Sequence, residues 1–268
     1  LPNSTILILG CGNMGGAMLA GWLAAGLDPA RFTVVDPYLG EAPAGVQLLC
    51  AVPPGAFDAV LLGIKPQALD EAALALAGAV GPDTVLLSIL AGTEVASIRA
   101  RVPHAGAIVR VMPNLAAAIG RSPMGLFGTG CTQAQREQIG ALLAPLGTAE
   151  WLADEALMDA VTALAGSGPA FVYRIIDALA AGGAGLGLDP DQARRLAVTM
   201  VDGAARLAAA TDLAPDELAR RVTSPGGTTA AGLAVLDADS ALLRLIEATL
   251  RAARDRGAEL AAAARAGS

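Results

Sequence analysis

Lysine and histidine are almost missing from this chain: Lys65 is its only lysine and His104 its only histidine. A catalytic lysine or a histidine–aspartate proton relay in the second half of the chain is therefore excluded. Cysteine is scarce too, and Cys11, Cys50 and Cys131 are odd in number, widely spaced and without a CxxC pair. That pattern excludes a disulfide framework, fits a reducing cytoplasm, and with a lone histidine leaves no metal site. Aromatic residues make up 3% of the chain against 54% hydrophobic residues overall, so Ala, Leu, Val and Gly must fill the interior. Cores of that kind need close helix–helix approach and often complete their burial by oligomerising. No basic run exceeds Arg194–Arg195 and Arg220–Arg221, and with a net charge of −7 a nucleic-acid partner is not expected. Residues 1–27 carry no charged side chain. They nevertheless lack the basic flank of an export signal, and Asn13 sits among glycines, so neither export nor membrane insertion is expected.

At 268 residues the chain is long enough for two domains. "TILILG" (5–10) is a short β-branched apolar run closed by glycine, and it reads as a buried strand. It leads into Gly10-Cys11-Gly12-Asn13-Met14-Gly15 and a small-residue helix, then into "FTVVDP" (32–37), a strand ending at Asp36. Glycines in a GxGxxG pattern, with an acid about 20 residues on, form the dinucleotide fingerprint. Gly10 makes the tight turn, Gly12 admits pyrophosphate to the backbone, and Gly15 lets helix and strand close. The helix N-terminus, with Asn13 and Met14, offers free N–H groups to the phosphates. Asp36 would bond the adenosine ribose. No Arg or Lys follows it in "DPYLGEAP", which favours NADH over NADPH.

Further strands are expected at 59–66, 84–92, 107–114 and 124–129, with helices at 67–79 and 94–101. The alternation predicts a parallel, doubly wound sheet of the Rossmann type. Its strand ends would bring Lys65, Pro66, Ala91, Gly92 and Asn114 to the rim of one crevice. After "TAEWL" (148–152) strand signals stop, giving a dinucleotide-binding domain at 1–153 and an all-α domain at 154–268. The greasy helices of the latter are expected to bury against a second subunit.

One stretch interrupts those helices. "VTSPGGTT" (222–229) has more glycines and hydroxyls than a helix connection requires. Gly226 and Gly227 can aim successive N–H groups at one point, and a helix starting near Thr228 adds its own. Such a turn would hold a carboxylate with no Arg or Lys, while Thr229 offers a hydroxyl to a second polar atom of the same ligand.

In order and spacing, "GCGNMG", "KPQ", "RVMPN", "TALAGSGPAFVY" and "VTSPGGTT" closely resemble pyrroline-5-carboxylate reductase across essentially the whole chain. The resemblance implies a dinucleotide-binding domain followed by a helical domain that intertwines two subunits. The implied activity is reduction of the cyclic imine Δ1-pyrroline-5-carboxylate to L-proline with NADPH or NADH, the last step of proline synthesis. It implies that Ser224, Thr228 and Thr229 hold the substrate, the Thr229 hydroxyl facing the ring nitrogen. It also places Gly166, Gly168 and Pro169 near the nicotinamide, and implies a homodimer or an oligomer of dimers. Two departures stand out: "MPNLAAA" where many members have MPNTPA, and "LAPDELARR" without the family's frequent His-Pro and Lys-Asp pairs. Two other readings remain. A 3-hydroxyacid dehydrogenase would have a lysine shortly after "GSG", where this chain has Arg174. A non-catalytic redox sensor would need an output module, and none is visible.

Overall fold

The computed structural model describes the backbone of residues 4–266, and their side chains except those of residues 260 and 263–266. The chain forms two compact units, one containing the residues up to Ser167 and those from Ala252 on, the other Gly168–Arg251.

The first unit is built on a sheet of eight strands: β1 Ile6–Leu9, β2 Phe32–Val35, β3 Gln47–Leu49, β4 Ala59–Leu62, β5 Val85–Ser88, β6 Ala107–Met112, β7 Ser122–Thr129 and β8 Gly147–Trp151. Their order is β3-β2-β1-β4-β5-β6-β7-β8, so the chain winds outward in both directions from the β1/β4 pair. β1, β2, β4 and β5 are buried at every residue, because helices cover both faces of the sheet. Alternate residues of β1 divide between two cores: Ile6 and Ile8 join Met18, Trp22 and Phe32, whereas Leu7 and Leu9 join Leu69, Leu76 and Ile98. The few aromatics are used economically here. Trp22 stacks on Phe32 at 5.5 Å between ring centroids and donates its indole N–H to the Leu142 carbonyl at 2.7 Å.

The helices that lie wholly within this unit include α1 Asn13–Ala24, α2 Leu69–Ala75, α3 Val95–Arg101, α4 Gln133–Leu143 and α5 Met158–Val161. Three details correct the expected pattern. β7 runs antiparallel to β6, because the few residues joining them hold only a short 3-10 turn and cannot make a parallel crossover. The helix expected over 67–79 is broken, with 3-10 turns at Pro66–Ala68 and Leu76–Gly78 on either side of α2. The edge strand β3, half-exposed and three residues long, has too little apolar periodicity to register in the sequence.

The second unit holds α6 Gly168–Gly185, α7 Pro190–Ala209, α8 Pro215–Arg221 and α9 Thr228–Leu236, and the start of α10 Ala241–Ala266. Residues 154–167 belong to the first unit, with Met158 and Ala163 buried in it. Among the described residues, the only ones buried in the second unit are Ala193 and Ala197. Val172, Ile175, Leu179, Leu196, Met200 and Leu207 all remain exposed. Its arginines mostly pair along their own helices: Arg194 with Asp191, Arg220 with Asp216 and Arg221 with Glu217. The Arg220–Arg221 step is thus locally compensated, and in the Arg194–Arg195 step Arg194 is. Among the described residues, no helix is long and apolar enough to cross a membrane.

Candidate functional site

The glycine loop sits where the winding of the sheet reverses. Gly10 follows β1, donates its N–H to the Val35 carbonyl at 2.9 Å and has φ +85°, a conformation that favours glycine. A Cβ there would lie 2.9 Å from the backbone of Gly63, and one on Gly15 would lie 2.6 Å from the Gly10 carbonyl oxygen. Gly12 is different. It stands at the N-cap of α1 with no side-chain cap, and a Cβ on it would meet nothing within 4 Å. Open space at an uncapped helix N-terminus, flanked by exposed Asn13 and half-buried Met14, fits a pyrophosphate. Gly63, after β4, faces Gly10 across the switch point. Sequence reading left it out, although its place just after a strand is the same signal that singled out Gly10.

Asp36 organises this loop as well as bordering it. Its Oδ2 accepts the Cys11 backbone N–H at 2.8 Å and its Oδ1 the Tyr38 N–H at 2.9 Å. Each oxygen keeps a second lone pair for a ribose hydroxyl. Burial, and secondarily the Asp36 charge, push the Cys11 thiol pKa upward, so it stays protonated beside the loop. No basic residue occurs in the sequence between Arg31 and Lys65. Cys11, Cys50 and Cys131 are free thiols. Among the described residues, no group of three or more His, Cys, Asp or Glu could hold a metal.

The remaining rim residues lie after β4, β5 and β6. Lys65 is exposed and extended, and Pro66 starts the 3-10 turn behind it. Ala91 is exposed, and Gly92, with φ +69°, packs against Ala261 near the end of α10. Asn114 is buried and committed to the fold. Its backbone N–H donates to Ser122 Oγ at 2.8 Å, its Oδ1 accepts the Ala116 N–H at 2.9 Å, and its Nδ2 donates to the Ala165 carbonyl at 2.9 Å. That last bond has a covalent cause. Pro169 has no N–H to give Ala165 four residues back, so the side-chain amide of Asn114 takes its place. The same segment, Thr162–Gly166, is a π turn closed by Ser167 N–H on the Thr162 carbonyl at 2.9 Å. Such turns concentrate at functional sites, and nothing in the apolar spacing of "TALAG" signals one. A Cβ on Gly166 would lie 3.7 Å from Met112 Sδ, an ordinary contact distance.

In the second unit, Ser224–Gly227 is a type II turn. Pro225 holds its second position, Gly226 supplies φ +70° at the third, and the Gly227 N–H closes on the Ser224 carbonyl at 3.0 Å. Gly227 is also the N-cap of α9, and no side chain caps that helix. Thr162 and Thr249 inside helices, and Thr223 just past the end of α8, return their hydroxyls to the carbonyl four residues back. Thr228 and Thr229 open the helix and have no such acceptor. Among the described residues, neither their hydroxyls nor that of Ser224 has a hydrogen-bond partner, and all three residues are exposed. The turn therefore presents backbone N–H groups and three unused hydroxyls, with glycine where a capping side chain would otherwise stand.

Residues 155–260 match the family model for pyrroline-5-carboxylate reductase dimerisation. The pyrroline-5-carboxylate reductase of Pseudomonas aeruginosa is 39% identical over 264 residues, covering 96% of both chains. A solved pyrroline-5-carboxylate reductase from Coxiella burnetii superposes with a TM-score of 0.88 at 30% identity, covering 96% of this chain and 98% of that one. A pyrroline carboxylate reductase from Plasmodium falciparum, solved with NADP bound, shares the fold with a TM-score of 0.79 at 22% identity, over 97% and 99% of the two chains.

Proposed function

The chain belongs to the pyrroline-5-carboxylate reductase family, and from that premise we propose that it reduces Δ1-pyrroline-5-carboxylate to L-proline with a nicotinamide dinucleotide. The observation that carries the reading is the uncapped turn at Ser224–Thr229. Free N–H groups at the start of α9 would take the substrate carboxylate, and Gly226, where a Cβ would meet nothing within 4 Å, leaves room for its approach. The Thr229 hydroxyl would bond the ring nitrogen. No lysine or histidine is at hand in that half of the chain, so the proton on nitrogen comes with the substrate or from solvent. Protonated nitrogen makes the imine carbon strongly electrophilic. The residues then contribute mainly by orientation, a term that reaches roughly 7–11 kcal/mol in ideal cases.

When bound, the dinucleotide supplies the hydride. Gly10, Gly12 and Gly15 with the first turn of α1 would hold its pyrophosphate, and Asp36 its adenosine ribose. Lys65, Pro66, Ala91 and Gly92 would line the rim, with Gly166, Gly168 and Pro169 toward the nicotinamide. Asn114 shapes that rim through its internal bonds. Asp36 without a neighbouring base disfavours a 2′-phosphate, so NADH is the preferred form. The unburied helices of the second unit fit a homodimer or an oligomer of dimers. Three free thiols fit a cytoplasmic enzyme.

Oxidation of NADH and NADPH followed on adding the imine, with a 3-keto acid as control, tests the reading. Oxidation with the imine alone, faster with NADH, is expected. Turnover of the keto acid instead would move the chain to the hydroxyacid dehydrogenases. Thr229→Ala is expected to lower kcat/KM by about 10- to 1,000-fold without abolishing it, the scale of losing one well-placed hydrogen bond. An unchanged rate in the folded variant would remove Thr229 from its role.

A further inference from the structure

Glu155 has no part in the reading above, yet its carboxylate sits where three segments of the cofactor rim meet. Its Oε1 accepts the backbone N–H of Val95 at 2.8 Å and Nη1 of Arg110 at 2.9 Å. Val95 opens α3, directly after the loop containing Ala91 and Gly92. Arg110 lies on β6 with its side chain 5% exposed, and that strand runs on into Pro113 and Asn114. Glu155 itself begins the descent through α5 to the π turn at Thr162–Gly166. The Asn114–Ala165 bond joins the last two segments a second time, further along.

Holding a strand, a helix start and a connecting segment together does not require charge. A buried ion pair loses much of its attraction to desolvation, and packed apolar side chains serve as well or better for stability alone. What a charged acceptor shared by two donors offers is fixed geometry. Here the geometry in question is the spacing of loops that all lead to the same rim.

We propose that Glu155 is a positioning residue: by joining Val95 and Arg110 through one carboxylate oxygen, it sets the spacing of the Gly92 loop, the end of β6 and the π turn, and thereby the grip on the nicotinamide half of the dinucleotide. The inference rests on the reading that these segments border the nicotinamide. The adenosine half has separate partners in the Gly10–Gly15 loop and Asp36.

The test compares wild-type enzyme with Glu155→Gln, which keeps an oxygen for Val95 and removes the charge facing Arg110. Steady-state kinetics give kcat and the KM values of NADH and imine, and competition gives the inhibition constant of ADP-ribose, which lacks nicotinamide. The expected result is a kcat/KM for NADH lowered by about 10- to 100-fold, the scale of misplacing reacting groups by an ångström. The ADP-ribose constant should stay within about twofold, as expected for sites without shared partners. Unchanged NADH kinetics would overturn the proposal. So would an equal loss of ADP-ribose and NADH affinity, which signals a loosened domain. Should Glu155→Gln fail to fold, Arg110→Met combined with Glu155→Gln leaves no unpaired buried charge. That pair should fold and still show the selective NADH defect; wild-type kinetics from it would reduce the ion pair to a stability element and overturn the proposal. Wild-type protein that bound neither nucleotide would instead overturn the cofactor reading, and the proposal with it.

Discussion

Gly10 and Gly12 belong to one motif but are glycine for opposite reasons. At Gly10 the protein itself forbids a side chain, through positive φ and through Gly63 at 2.9 Å. At Gly12 the protein leaves space and only a ligand would object. Gly10→Ala should therefore destabilise the ligand-free protein by about 1–3 kcal/mol, the usual cost of a strained backbone position. Gly12→Ala should melt like wild type but raise the KM for NADH by about tenfold or more, equivalent to roughly 1.4 kcal/mol of lost binding. Melting curves with and without NADH, alongside kinetics, separate the two. A destabilised Gly12→Ala, or one with normal cofactor affinity, would contradict the ligand-facing role of Gly12.

Elements differ in how plainly the sequence announces them. β1, the glycine loop, α1 and β2 were legible because buried parallel strands are continuous apolar runs and the loop's glycines have fixed spacing. The turn at Ser224–Gly227 was legible for a related reason, since proline followed by glycine specifies both of its central angles. The π turn was not. It depends on Pro169 withholding an N–H and on Asn114, far away in sequence, supplying one to Ala165. The antiparallel course of β7 follows from the length of a connection rather than from the strand's own residues, and Glu155 reads as one more surface acid until Val95 and Arg110 are seen on it. The π turn carries its own prediction. Asn114→Ala leaves the Ala165 carbonyl without its side-chain donor and should cost about 1–3 kcal/mol in denaturant unfolding. A midpoint unchanged from wild type would mean that water replaces the amide freely.

At the scale of the whole molecule, the two units differ in self-sufficiency. The first buries Ile, Leu, Val, Trp and Phe on both faces of its sheet, whereas among the described residues of the second only alanines are buried and most of the larger apolar residues are exposed. Val172, Ile175 and Leu179 recur at helical spacing along α6, an apolar stripe of the kind that marks an association surface. Ile175→Glu with Leu179→Glu is expected to shift the protein from dimer or larger to monomer in light scattering, with loss of activity. A mass equal to wild type would place the subunit interface elsewhere.

The central claim is that a turn without Arg or Lys holds the substrate's carboxylate through backbone N–H groups. Its most direct measurement compares kcat/KM for Δ1-pyrroline-5-carboxylate and for 1-pyrroline, the same ring without the carboxylate, in wild type and in Gly226→Val. In wild type the carboxylate should be worth about 100-fold or more, as for a group making two charge-assisted hydrogen bonds. Gly226→Val, unable to keep φ +70° without strain, should reduce the carboxylated imine to the level of 1-pyrroline and leave 1-pyrroline itself little changed. Equal turnover of both imines by the wild-type enzyme would contradict the account.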